Sequence, residues 1–152
     1  MLKVGTIAPA FVAGSTTGAP VSLESLRGRL LVLYFFHRVF TPKCTVETKG
    51  FRDNYPDLTA LGAEVVGVSS DPFGKQCEFA RAHGVSFPII SDADHAIQRA
   101  YDVRFAFLPF SHRVTYVIEP RGTIAGVFNH EFQISKHLDE VLRFVRTLAG
   151  ER

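Results

Sequence analysis

Leu30-Leu31-Val32-Leu33-Tyr34-Phe35-Phe36 is an unbroken apolar run, rich in aromatics, with the length and flanks of a β-strand buried on both faces. A strand without a polar side belongs in the middle of a sheet, so the rest of the chain must cover it from above and below. Downstream, Thr41-Pro42 reads as a helix entry, with the threonine hydroxyl near the N-cap and proline in the first turn. The segment that follows reads as helix to about Leu61 and is closed by Gly62. Ala63 to Ser69 is a second β-rich run, and Asp71-Pro72 opens another helix that ends near His83-Gly84.

The C-terminal half changes character. After a short Phe87-Pro88-Ile89-Ile90 stretch and a brief helix near His95 to Tyr101, two β-rich segments, 113–119 and 123–128, flank Pro120-Arg121-Gly122 as a hairpin. Ile134, Leu138, Val141, Leu142, Val145 and Leu148 then fall at helical spacing on a closing amphipathic helix. A βαβα order followed by hairpin and helix predicts an α/β fold, a three-layer sandwich of thioredoxin type with an N-terminal extension. With 152 residues, 46% of them hydrophobic, and no repeat or linker, residues 1–152 are read as a single domain.

Composition narrows the function classes. A formal net charge of +2, with both signs scattered along the chain, gives no reason to expect a nucleic-acid partner. No window approaches a membrane span, and the opening Met1 to Ser15 lacks a basic, then apolar, leader pattern. A soluble, unexported, cytoplasmic protein is expected, with no membrane partner. Two cysteines are too few for a disulfide framework and suggest thiol chemistry in a reducing compartment, or else two small buried hydrophobes. The six histidines form no helical pair and no zinc-type spacing with the cysteines, so no metal and no other cofactor is expected.

Cys44 lies in the first turn of the helix that starts at Pro42. Unpaired backbone N–H groups and the positive end of the helix dipole converge there, which favours thiolate over thiol. A thiolate attacks disulfide sulfur, acyl carbon or peroxide oxygen, so the neighbours must choose. Three residues before Cys44 stands Thr41, not a second cysteine, which removes the dithiol-exchange reading.

Phe40-Thr41-Pro42-Lys43-Cys44-Thr45, with Glu47 two residues on, resembles the peroxidatic motif of the peroxiredoxin family, and most closely its peroxiredoxin Q or bacterioferritin comigratory branch. The likeness extends through Ala8-Pro9-Ala10-Phe11, Gly50-Phe51-Arg52-Asp53, Val66-Gly67-Val68-Ser69 and Arg113-Val114-Thr115-Tyr116. The resemblance implies that Cys44 is the peroxidatic nucleophile, that Thr41 sets its hydroxyl on the peroxide oxygens, and that Arg113 holds thiolate and peroxide. It also implies that Glu47 orients Arg113, that hydrogen peroxide and organic hydroperoxides are the substrates, and that thioredoxin or a similar dithiol is the reductant. A monomer or homodimer is expected.

The chain departs from that pattern in two places. His37 replaces the proline four residues before Thr41, and either rebuilds the wall around the thiolate or, when protonated, pairs with it. Lys49 stands where many members of the branch carry a resolving cysteine; other members carry it in the next helix, where Cys77 falls, so the resemblance makes Cys77 a candidate for that role, with an outside thiol as the alternative. On a helical wheel Cys77 borders the apolar face of Phe73, Phe79 and Ala80, which leaves core and reactive readings open. His112 is assigned no role, because strand alternation turns it away from Arg113. Phe105-Ala106-Phe107-Leu108-Pro109-Phe110 is expected to line the substrate entrance, form a subunit contact or pack beneath its own loop. The competing functional readings are a weakly active redox sensor or binding protein and a disulfide oxidoreductase.

Overall fold

A computed structural model describes residues 1–105, 107–108 and 110–150. The chain runs β1 (Val12–Ala13), β2 (Val21–Ser22), a 3-10 turn (Glu24–Leu26), β3 (Leu30–Phe35), α1 (Pro42–Ala60), β4 (Ala63–Ser69) and α2 (Phe73–Ala82). It continues with β5 (Ile89–Ser91), α3 (Ala96–Ala100), β6 (Val114–Ile118), β7 (Ile124–Asn129) and α4 (Ile134–Gly150). The main sheet has the order β5-β4-β3-β6-β7, with β3 at its centre. β4 runs parallel to β3 and β5, because a helix carries each crossover, while β6 and β7 are antiparallel neighbours.

Strand alternation explains why β3 has no polar face. Leu30, Val32 and Tyr34, with Phe36 just beyond the strand, point to one side and pack with Phe51 and Leu58 of α1, Phe79 of α2 and Val141, Leu142 and Val145 of α4. Leu31, Leu33 and Phe35 point to the other side, into a second core closed by Phe11, Leu23, Tyr101 and Val103. The expected sandwich is present, but its second outer layer is built mainly from the N-terminal segment rather than from long helices. The small β1–β2 pair in that layer escaped the sequence reading because strands of two residues carry no periodicity.

One close approach links the sheet to α1. The ring of Tyr34 lies against Gly67 on β4, where an added Cβ would sit 2.8 Å from Tyr34 Cζ. That space lets the ring pack at a tilt against Phe51, 4.7 Å between centroids, and brings its hydroxyl 3.1 Å from Thr48 Oγ1. Tyr34 thereby fixes the turn of α1 adjoining Glu47. Gly67→Ala is expected to lower unfolding free energy by about 1–3 kcal/mol through overpacking, measured by urea denaturation. An unchanged midpoint would mean that the Tyr34 ring moves aside without cost.

Candidate active site

The segment after β3 is held in a strained but pinned conformation. Phe40 adopts φ +64, which is uncommon for an aromatic residue, while its ring packs edge-on against Phe79 at 5.2 Å. The preceding Val39 N–H donates to Asp71 Oδ2 at 2.9 Å, tying this segment to the one before α2. Thr41 then caps α1 in an extended conformation with Pro42 at the first helical position, as expected. Its hydroxyl, however, donates back to the Arg38 carbonyl at 2.8 Å and does not cap the helix N–H groups. The Thr41 oxygen therefore faces the site as an acceptor, and the N–H groups of Lys43 and Cys44 have no carbonyl partner within the helix.

Cys44 is 1% exposed. Arg113, at the entry to β6, reaches its Sγ with Nη1 and Nη2, both at 3.6 Å. Nη1 also donates to Glu47 Oε1 at 2.7 Å, and Nε donates to the main-chain carbonyl of Glu131 at 3.3 Å. A guanidinium has five N–H donors, and these contacts use four, leaving one on Nη2. Arg113 and Glu47 are 1% and 0% exposed, so this is a fully buried ion pair. Burial opposes the Arg113 charge, but Glu47 and Cys44 outweigh it and hold the guanidinium protonated. Burial likewise pushes the Glu47 carboxyl up to about 7, against the pull of Arg113.

A second group of titratable residues lies behind the pair. Glu47 Oε2 is 3.5 Å from His137 Nε2, which in turn is 2.7 Å from Thr115 Oγ1. His137 Nδ1 meets His130 Nδ1 at 3.0 Å, and His130 Nε2 meets Glu140 Oε2 at 2.9 Å. Burial, with His130 and Arg113 close by, drives the His137 imidazole down to about 3, so it is neutral at ordinary pH. His137 was missed in the sequence, although it sits on the same helical stripe as Ile134 and Val141 and was discoverable by that spacing.

A cleft of about 380 Å³ opens over Arg113, walled by His37, Thr41, Pro42, Phe110 and Phe132. His37 is a wall residue whose Nε2 is 3.0 Å from Glu131 Oε2. His112, which precedes the first residue of β6, does not line the cleft, but its Nδ1 is 2.9 Å from Oε1 of the wall residue Glu131. Within the aromatic 105–110 segment, Phe110 lines the cleft and Phe107 is 97% exposed, while Ala106 and Pro109 lie outside the described residues. The structure thus joins Cys44, Glu47 and Arg113 and sets Thr41 on the cleft. Cys77 is half-buried on α2, and both thiols are free. Its apolar face consists of Phe79 and Ala80 alone, since Phe73 is 47% exposed. Among the described residues no group of histidine, cysteine and carboxylate side chains is arranged to hold a metal.

Residues 4–127 match the model of the AhpC/TSA family. A chloroplastic peroxiredoxin Q of Sedum lineare is 35% identical over 147 residues, spanning 95% of this chain and 78% of that protein. Among solved structures, peroxidoxin BcpB of Mycobacterium tuberculosis superposes with a TM-score of 0.89 at 30% identity, over 97% of this chain and 98% of that one. The bacterioferritin comigratory protein of Xanthomonas campestris, described for its alkyl peroxide reduction activity, superposes at 0.84 with 26% identity over 98% of both chains.

A neutral, buried His137 has a consequence for stability. The unfolded chain takes up a proton at this residue near the ordinary imidazole value of about 6.5, whereas the folded protein refuses it down to about 3. Stability contributed at this site is present above the unfolded value and lost as pH falls. The stability of the wild type relative to His137→Gln is therefore expected to decline between about pH 7 and about pH 4 in urea titrations. A constant difference would show that His137 accepts its proton freely in the fold.

Proposed function

The chain belongs to the AhpC/TSA family and is a thiol-dependent peroxidase, and we propose that Cys44 is its peroxidatic nucleophile, with Arg113, Thr41 and Glu47 assembling the reacting atoms. The observation that carries this assignment is the convergence of both terminal nitrogens of a buried arginine on one sulfur at a helix start. A guanidinium fork and helix-terminal N–H groups stabilise the thiolate before reaction and the departing oxygen during it, in a site largely closed to water.

In this reading a lone pair of Cys44 Sγ attacks one peroxide oxygen. An S–O bond forms and the O–O bond breaks. The departing oxygen keeps the bonding pair and takes from water in the cleft the equivalent of the proton that the Cys44 thiol lost on ionising, leaving as water or an alcohol, and Cys44 becomes a sulfenic acid. The free N–H of Arg113 Nη2 donates to a peroxide oxygen, and the Thr41 oxygen accepts the peroxide O–H, since its own hydrogen is engaged by Arg38. Glu47 holds Arg113 at the angle that lets the fork face sulfur.

The cycle is completed by a thiol that attacks the sulfenic sulfur and displaces water. Cys77 fits this role by its half-exposed place on α2, and the burial of Cys44 requires local opening of α1 before the sulfurs come within disulfide reach. Thioredoxin or a comparable dithiol then returns both sulfurs to thiols with two electrons. A cytoplasmic setting belongs to the same reading and is supported by the two unpaired cysteines. A monomer or a homodimer would serve the chemistry equally.

Cys44→Ser is expected to abolish peroxide consumption, and Arg113→Ala to slow sulfenic acid formation by roughly 10²–10³-fold, the scale for losing an oriented charge-stabilising donor. Full activity in the serine variant would end the assignment. Intact mass after one equivalent of peroxide tests the second cysteine. A loss of two hydrogens within one chain is expected for a Cys44–Cys77 disulfide. Gain of an oxygen instead would make Cys77 structural and the resolving thiol external.

A further inference from the structure

Arg113 acts only if its flexible side chain is held, and Glu47 grips just one end of the guanidinium. The other grip comes from Glu131, in the turn between β7 and α4. Its main-chain carbonyl accepts Arg113 Nε at 3.3 Å, and its carboxylate accepts the Arg113 main-chain N–H at 3.2 and 3.3 Å from Oε1 and Oε2. The same carboxylate takes His112 on Oε1 and His37 on Oε2, at 2.9 and 3.0 Å. With its amide turned to donate, Asn129 adds a bond to Oε1 at 3.1 Å and one to the Arg113 carbonyl at 3.0 Å. Although burial disfavours its charge, these donors hold the Glu131 carboxyl down at about 2, so it is ionised throughout the working range.

Three chain segments meet on this one carboxylate: the turn after β3 through His37, the entry of β6 through His112 and Arg113, and the turn before α4 that carries Glu131 itself. Together they form most of the cleft wall. His37, which stands where the family pattern has proline, is given an anchored position by Glu131, so a mobile side chain does the work of a rigid ring. We propose that Glu131 is a positioning residue of the peroxidase: it holds Arg113 from its backbone and its Nε side, and ties the His37 wall to it, so that the guanidinium meets Cys44 in a single orientation. This inference rests on Cys44 and Arg113 being the reacting pair.

Two measurements on Glu131→Ala test it, with the isosteric Glu131→Gln as the second variant should the first not fold. Single-turnover formation of the sulfenic acid is expected to slow by about 10²-fold, the penalty for a catalytic group misplaced by an ångström, and added formate is expected to restore part of the rate by filling the vacated carboxylate site. By NMR, the Arg113 Nε–H signal, identified by its absence in Arg113→Lys, is expected to be protected from exchange in the wild type and to lose that protection in the variants, because the turn that carries the accepting Glu131 carbonyl is held in place by the carboxylate they remove. Wild-type rate and intact protection in a folded variant would overturn the proposal, as would a slow reaction that formate does not touch while the Nε–H stays protected. A wild type that forms no sulfenic acid would instead sink the assignment of Cys44, and the exchange measurement would still decide what Glu131 does to Arg113.

Discussion

A guanidinium and a carboxylate, neither with meaningful solvent contact, face each other at 2.7 Å beside the sulfur of Cys44. Removing two such charges from water is costly, and their mutual attraction repays that cost only with good geometry and further hydrogen bonds. Here those bonds come from every side: Glu47 and Cys44 on the fork, and the Glu131 carbonyl on Nε. Much of the surrounding architecture serves to keep this pair dry and aligned. β3 and β6 are adjacent in the sheet, so α1, which follows β3, and Arg113, which precedes β6, arrive at the same edge.

The site also carries backbone strain beside the pair. Phe40 occupies a left-handed conformation costly for a non-glycine residue. Its ring contact with Phe79 and the Val39–Asp71 bond stabilise that geometry, and the result is a turn tight enough to start α1 directly under Arg113. Below, Tyr34 braces the helix through Thr48, one residue from Glu47. The helix start and the turn that carries Glu47 are therefore set by three separate tertiary contacts, none of which is local in sequence.

The ionisable residues divide into three groups with different work. Next to the sulfur, Arg113 supplies fixed positive charge. Behind it, Glu47, His137 and His130 form a buried line that ends at Glu140 nearer the surface. His137 is kept neutral, which avoids placing a third charge beside the pair. At the mouth, His37 and His112 are both committed to Glu131, so the histidine that replaces the family's proline is part of a wall rather than a partner of the sulfur.

The amino-acid sequence by itself determined the elements and the place of Cys44 at a helix start. The apolar run at Leu30 to Phe36 dictates a central strand, Thr41-Pro42 dictates a helix start, and a cysteine two residues later must lie among unpaired N–H groups, because these are local consequences of burial, backbone geometry and spacing. The motif's likeness to peroxiredoxins extended this to Glu47 and Arg113. What only the tertiary structure decided is how the partners meet: that Thr41 turns its hydrogen to Arg38, and that Glu131 gathers His37, His112 and Arg113. Glu131 sits in a turn with no periodicity to betray it, and its partners His37, His112 and Arg113 lie 18 to 94 residues away. Hydrogen bonds across such separations depend on how the strands pair and where the turns end, which no local pattern encodes.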